Sequence, residues 1–336
     1  MPKNFFDLSA KERNEALEVA ATTSGRPTYL LEKDVWVVWT LHQLFTAPFA
    51  GELTFKGGTS LSKAYGLINR FSEDIDITRD IRTIIPEQIR DAPNALPRSL
   101  SQAKRWRDEI EPRLADWISN EVAPLLIQAL STQNLIANIH TQGDKIFIEY
   151  QAQAGGYGYV TPRIQIEFGA RATGEPNEIR LIYCDAAMHL TKIAFPTAKP
   201  RVMRAERTFW EKATAIHVFC LQHKIPERSA RHWSDLAKLD SAGIADSAIN
   251  DRDLARSVAD HKSKFFSEKD ASGAKVDYHA AVAGELTLVP IDSALKELAT
   301  DYDTMVKNGL FQDSAEPFDT LIERCRTIQK KANAHK

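Results

Sequence analysis

Residues 53–78 read LTFKGGTSLSKAYGLINRFSEDIDIT, and the order of residue types in this stretch decides how the chain begins to fold. Leu53-Thr54-Phe55 suits a short strand, Lys56-Gly57-Gly58-Thr59-Ser60 has the composition of a tight turn, and Leu61 to Ile68 suits a short helix. A second strand is expected from Glu73 to Thr78, near enough in sequence to lie beside the first. Asp74 and Asp76 are one residue apart on that strand, so both carboxylates point to one face. Two carboxylates held together repel unless a cation sits between them, and hard divalent ions accept such oxygen ligands. The same pair at a solvated strand end has no such task, and the spacing alone leaves both readings open. Paired Gly57 and Gly58 let backbone approach a ligand closely, and a helix start behind them presents N–H groups and the positive dipole end to a phosphate, with Lys56 and Lys63 flanking. The plainer reading is a turn with capping hydroxyls. Neither GxxxxGK[ST] nor GxGxxG is present. The interval from Ser60 to Asp74 accommodates one short helix and a return, so a phosphate cradle and a metal dyad are able to face each other.

Upstream, an amphipathic helix is expected over Leu8–Ala21, with Ser9 and Glu12 in capping-box spacing, and a largely buried one over Tyr29–Phe45 after Pro27. Downstream, Pro86–Leu130 reads as mostly helical, strands are expected at Asp144–Ala152 and Tyr159–Phe168, and Arg180–Ile193 is ambiguous between strand and loop. Helices are expected at Arg204–His223, Arg231–Leu239, Asp251–Phe266, Leu295–Lys307 and Pro317–Ala334. A strand-bearing half thus gives way to a helical half near Pro196–Pro200, and we place the domains at 1–197 and 198–336.

The chain has 336 residues and a formal net charge of −2, long enough for two domains and too evenly balanced for a uniformly basic coat. Any polyanion site must therefore be local. Three widely spaced cysteines, in no CxxC pair, argue against a disulfide framework or zinc site and fit a reducing cytoplasm. The apolar runs are short and broken, so no membrane span or secretion signal is expected. No HExxH or GxSxG occurs, which leaves hydrolase readings little support.

The combination of GG[ST] at a helix start with Arg70-x-Ser72-x-Asp74-x-Asp76 resembles the DNA polymerase β-like nucleotidyltransferases, and more narrowly the AbiEii/AbiGii-type toxins. The similarity continues in Arg207-Thr208-Phe209-Trp210-Glu211-Lys212-Ala213 and Arg231-His232-Trp233-Ser234-Asp235-Leu236, like that family's helical lysine followed by a DL motif. The resemblance implies an α+β fold: a nucleotidyltransferase core with a small mixed sheet flanked by helices, then a helical domain that completes the active-site cleft. It implies an NTP substrate, Mg²⁺ or Mn²⁺ at Asp74 and Asp76, and triphosphate contacts from Lys56, Gly57, Gly58, Thr59, Ser60, Lys63, Arg70, Ser72 and Lys212. It implies roles in activity for Lys212 and Asp235. A later strand usually supplies a third metal-facing acid, and Glu167, alternating with Ile164, Ile166 and Phe168, is the best placed. Each has a plainer alternative: Glu167 as a solvent-facing acid, Lys212 held by a protein carboxylate, Asp235 paired with Arg231 at i−4.

Between Lys192 and His232 nine basic residues stand against three acids, a local excess of six that suits a nucleic-acid backbone if it is more than a solvated helix face. Arg201, Arg204, Arg228 and Arg231 are its candidate RNA contacts. By resemblance the acceptor is the tRNA 3′ end, its modification blocks translation, and a separate antitoxin is the partner. NMP transfer to a protein hydroxyl and a catalytically silent nucleic-acid-binding module are the rival readings.

Overall fold

The structure, a computed structural model, describes residues 2–70, 74–152, 161–309, 311 and 315–334. The chain is organised as two compact units that interleave in sequence. The first comprises Met1–Ala64, Ser72–Pro86 and Arg107–Val202, and the second Tyr65–Phe71, Glu87–Trp106 and Met203–Lys336.

The first unit opens with helix α1 (Ala10–Ser24), which starts where the capping box closes: the Ser9 hydroxyl accepts from the Glu12 amide and the Glu12 carboxylate from the Ser9 amide. It stops at Gly25, whose φ of 72° supplies the left-handed cap. Helix α2 (Thr28–Thr46) is buried at every position from Leu31 to Leu41, as its broad apolar stripe predicts. Strand β1 (Leu53–Lys56) leads into helix α3 (Gly57–Lys63), so the glycines form the helix's first turn instead of a separate turn before a helix at Leu61. Strand β2 (Asp74–Asp80) then returns antiparallel to β1. After helices α4 (Leu100–Trp117) and α5 (Ala123–Thr132) come β3 (Ala137–Gln142), β4 (Lys145–Tyr150), β5 (Arg163–Ala172), β6 (Asn177–Ile179) and β7 (Arg201–Met203). No sequence pattern marks β3, and the segment around Arg180–Ile193 resolves into short strand pairs and a turn. These seven strands form one mixed sheet in the order β3-β4-β5-β2-β1-β7-β6, with β2 parallel to β5 and β7 parallel to β1. Trp36 of α2 stacks on Tyr150 at 5.0 Å, and Trp117 of α4 meets Phe168 edge-on at 5.5 Å, which packs helices against the sheet.

The second unit is built on helices α6 (Ala205–Gln222), α7 (Ala230–Ser241), α8 (Ile244–Asn250), α9 (Arg252–Phe265), α10 (Asp292–Lys307) and α11 (Phe318–Ala334). Its two central tryptophans are buried with their indole donors satisfied, Trp210 by the Ala248 carbonyl at 2.9 Å and Trp233 by the Leu288 carbonyl at 2.7 Å. The mixed α+β class is as the sequence predicts. All three cysteines are buried and free.

Candidate active site

The sheet alternation sets the site. On β2, Ile75 and Ile77 are fully buried while Asp74 and Asp76 project from the opposite, half-buried face. Register places Asp76 between Lys56 of β1 and Glu167 of β5, and Asp74 beside Gln165. Gly57, at φ 78°, brings its backbone against the dyad: a β-carbon built there would fall onto the Asp76 carboxylate, 2.8 Å from its Cγ. The Thr59 hydroxyl donates to the Asp74 carbonyl, and the Ser60 hydroxyl donates to the Gly57 carbonyl at 2.9 Å. Both side chains are buried, so what Thr59 and Ser60 can offer an anion is backbone N–H. Ser72 lies outside the described residues.

Glu167 does share the sheet face of Asp74 and Asp76, but its carboxylate accepts from the Lys145 ammonium at 2.6 Å and from the Gln165 amide at 2.7 Å. Among the described residues no three acids, histidines or cysteines converge tightly enough to hold an ion. Glu167, the expected third metal ligand, is thus paired with Lys145 here. Two aspartates on one strand face, with a side-chain-free backbone beside them, still present the hard oxygen donors that Mg²⁺ or Mn²⁺ takes, so the dyad fits such an ion.

Lys63 sits in an ion cluster of its own. Its ammonium is nearly buried and bridges Asp34 at 2.5 Å and Asp185 at 2.7 Å, with Arg26 on the other side of Asp185. Burial pushes its pKa down, but the two carboxylates outweigh that and raise it, so Lys63 stays charged. The cluster ties α3 to α2 and to the turn at Asp185.

In the second unit, Asp235 of α7 is fully buried and takes a bidentate fork from Arg70, both hydrogen bonds at 2.8 Å, plus Lys212 of α6 at 2.9 Å. Burial alone would raise the Asp235 carboxyl, but the Arg70 guanidinium and Lys212 ammonium hold it well below the usual range. The Lys212 ammonium also lies 3.5 Å from His232 Nδ1. Burial, and then Lys212, keep His232 neutral by pushing its pKa far down. Asp235 therefore does not pair with Arg231, and Arg70, expected at the nucleotide, instead fixes Asp235. Sequence reasoning misses His232 and Lys145. The turn letters Gly143-Asp144 ahead of KIFIEY are the signal that sets Lys145 at a strand start.

The four arginines proposed for RNA are spread over both units. Arg201 donates to the Gly51 carbonyl, and Arg204 pairs with Glu206 at 3.1 Å. Arg228 is exposed and Arg231 half-buried at the start of α7, where the Asp301 carboxylate accepts the backbone amides of Arg228 and Ala230 at 2.8 and 2.7 Å. Arg207 and Lys212, counted in the basic excess, are buried in ion pairs.

A sequence profile of the nucleotidyl transferase AbiEii toxins of type IV toxin–antitoxin systems matches residues 39–324. Among solved structures, the nucleotidyltransferase toxin MenT4 of Mycobacterium tuberculosis H37Rv is similar at 14% identity, over 95% of this chain and 99% of that one, with a TM-score of 0.40. No curated protein sequence matches.

Proposed function

Because the chain belongs to the AbiEii family of nucleotidyltransferase toxins of toxin–antitoxin systems, we propose that it transfers NMP from an NTP to an RNA hydroxyl, at the tRNA 3′ end, and so blocks translation until a cognate antitoxin intervenes. The observation that carries the reading is the Asp74–Asp76 pair on one strand face with the Gly57 backbone packed against it. In the reaction the acceptor oxygen forms a bond to the NTP α-phosphorus. The bond from that phosphorus to the next bridging oxygen breaks, its electron pair leaves with pyrophosphate, and the hydroxyl proton passes to solvent. Asp74 and Asp76 would hold the divalent ion, which when bound offsets charge on the attacking and leaving oxygens. The backbone amides from Gly57 to Ser60 are assigned to the triphosphate, with Lys56 at the near edge of β1. Lys212 is assigned a phosphate contact, and Asp235 and Arg70 position it. The protein's part is placement and fixed charge.

The test is incubation with each radiolabelled NTP, Mg²⁺ or Mn²⁺, and either total RNA or total protein. Label on RNA that disappears with Asp76→Asn while the thermal transition stays in place is the expected result. Label confined to protein would make the acceptor a protein hydroxyl, and no label under any condition would leave a nucleic-acid-binding module without transfer.

A further inference from the structure

The sheet face that carries Asp74 and Asp76 continues past them across three more strands, and register lays two parallel rows of side chains over it. One row runs Lys56, Asp76, Glu167, Lys145 and Gln142, each opposite the next on β1, β2, β5, β4 and β3. The other runs Asp74, Gln165, Phe147 and His140 on β2, β5, β4 and β3. Successive residues of a strand point to opposite faces, so the intervening Ile75, Ile77, Ile166, Ile146 and Ile148 form the other face, each 0% exposed. The two rows are open by contrast. His140 and Gln142 are exposed, and the side chains of Lys145 and Glu167 keep 37% and 36% of their surface.

The second row ends in a ring stack. His140 lies nearly parallel to Phe147, with centroids 4.8 Å apart at 22°, and the Arg163 guanidinium lies 4.9 Å from the Phe147 ring. Phe147 is itself buried, so the ring that this row presents to solvent is His140, held in place by the ring behind it. Any base can stack on such a ring, and a ring already fixed loses little freedom when one does. In the first row Lys145 gives one of its three donors to Glu167, which leaves the ammonium able to meet a backbone phosphate as well, and the Gln142 amide suits sugar or base edges. Arg163 faces Glu149 across the ladder, so the path attractive to a polyanion keeps to these two rows. A stacking ring, side-chain amides and an ammonium on an open sheet face are the groups by which single-stranded RNA is held.

Both rows lead to the transfer site. Asp76 stands between Lys56, on the Gly57 side, and Glu167, on the β5 side. In-line displacement needs the nucleophile and the leaving pyrophosphate on opposite sides of the phosphorus. With the triphosphate on the Gly57 side, the β5 side is left for the acceptor. Three strand spacings of ~4.8 Å set His140 roughly 14 Å from Asp74, a span that the last few nucleotides of a chain can cover.

We propose that the open face of β5, β4 and β3 is the track on which the terminal single-stranded nucleotides of the acceptor RNA lie, with a base stacked on His140 and the terminal hydroxyl brought to the Asp74–Asp76 dyad. This rests on the transfer reaction proposed for the dyad. The base of the incoming NTP offers the same stacking chemistry, so the test separates the two.

Steady-state transfer is measured with total tRNA and NTP varied in turn for wild type, His140→Ala, His140→Trp and Gln142→Glu. Loss of the stacking ring predicts a KM for tRNA raised about five- to hundredfold in His140→Ala, with the KM for NTP within about twofold of wild type. His140→Trp keeps a π face and is expected to bring the KM for tRNA back to within about threefold of wild type. Gln142→Glu sets a carboxylate in the path of the RNA at an exposed position and is expected to raise the same KM, which covers the case in which His140→Ala does not fold. A raised KM for NTP with that for tRNA unchanged would overturn the proposal in favour of the base of the incoming nucleotide. A His140→Trp protein as impaired as His140→Ala would trace the loss to something other than stacking and overturn it too. Wild-type values for both substrates in the folded variants would overturn it outright. A wild type that labels no tRNA overturns the transfer reading itself, and the acceptor track with it.

Discussion

At Gly57 the absence of a side chain is what lets a helix start touch a carboxylate. Gly57→Ala places a methyl group on the Asp76 carboxylate at a backbone φ of 78°, so both the close approach and the conformation become unfavourable. The expected cost is about 1–3 kcal/mol of stability and at least a tenfold drop in transfer. Transfer rate and urea midpoint, measured together, check it; a fully active Gly57→Ala protein would detach the glycine from the dyad. The Asp235 cluster separates charge from function in a different way. Lys212→Ala leaves Asp235 its bidentate Arg70 fork, so folding stability should change little while NTP use falls. Asp235→Asn instead leaves both the Arg70 and Lys212 cations buried without their counter-charge, and about 3–5 kcal/mol of stability should be lost. Chemical denaturation of the two variants side by side reads the difference. The same cluster shows what spacing hides. Asp235 reads locally as an i−4 partner of Arg231, yet its fork comes from Arg70, 165 residues away, and no local pattern reports such a pairing.

Element by element, legibility follows periodicity. Helices α1 and α2 and strands β1 and β2 lie where capping, the apolar stripe and alternation place them, because each buries one well-marked face. Strand β3 carries ANIHTQ at the edge of the sheet with exposed residues on most positions, so it has no apolar alternation to read. Short helix α8 is likewise unmarked, its buried residues being mainly alanines. The dyad and Gly57 are legible because strand alternation and the φ of glycine are local properties. The Lys145–Glu167 and Lys63–Asp34 pairs are not, because they depend on strand register and helix packing. Helix α6 carries a pH-dependent element of stability. His217 is buried, its Nδ1 accepts the Thr287 amide at 3.0 Å, and burial pushes its pKa down to about 4 against a weak opposing pull from Asp277. The unfolded chain binds a proton near pH 6.5 and the folded one does not until about pH 4, so stability is full above 6.5 and falls as pH drops through that window. Between pH 7 and 4.5 the loss from this group should be on the order of 2–3 kcal/mol. His217→Gln keeps an acceptor for Thr287 without a titrating ring. Its urea-derived stability should vary less with pH than wild type by that amount, and parallel curves would show that His217 does not govern the window.

Over the whole molecule, a net charge of −2 coexists with an excess of six positive charges between Lys192 and His232. The structure divides that excess. Arg207 and Lys212 are engaged with internal carboxylates, Arg204 is paired with Glu206, and Lys192, Lys199, Lys224 and Arg228 remain exposed. A charge buried in an ion pair releases no counterions from a bound polyanion, so only the exposed members can set the salt dependence of RNA binding. Charge reversal at Lys224 and Arg228 should therefore weaken RNA binding and reduce the log–log salt slope by about 0.7–0.9 for each phosphate that is no longer neutralised. NTP affinity should be unchanged, because neither residue is among the groups assigned to the triphosphate. Arg207→Gln serves as the contrast, since it removes a basic residue from the same segment without removing an exposed one. Its slope should match wild type even where folding stability drops. RNA binding across a salt series for wild type, the double reversal and Arg207→Gln checks this. Equal slopes for wild type and the double reversal would take Lys224 and Arg228 out of RNA recognition, and the salt dependence would then have to come from other exposed cations such as Lys192 and Lys199.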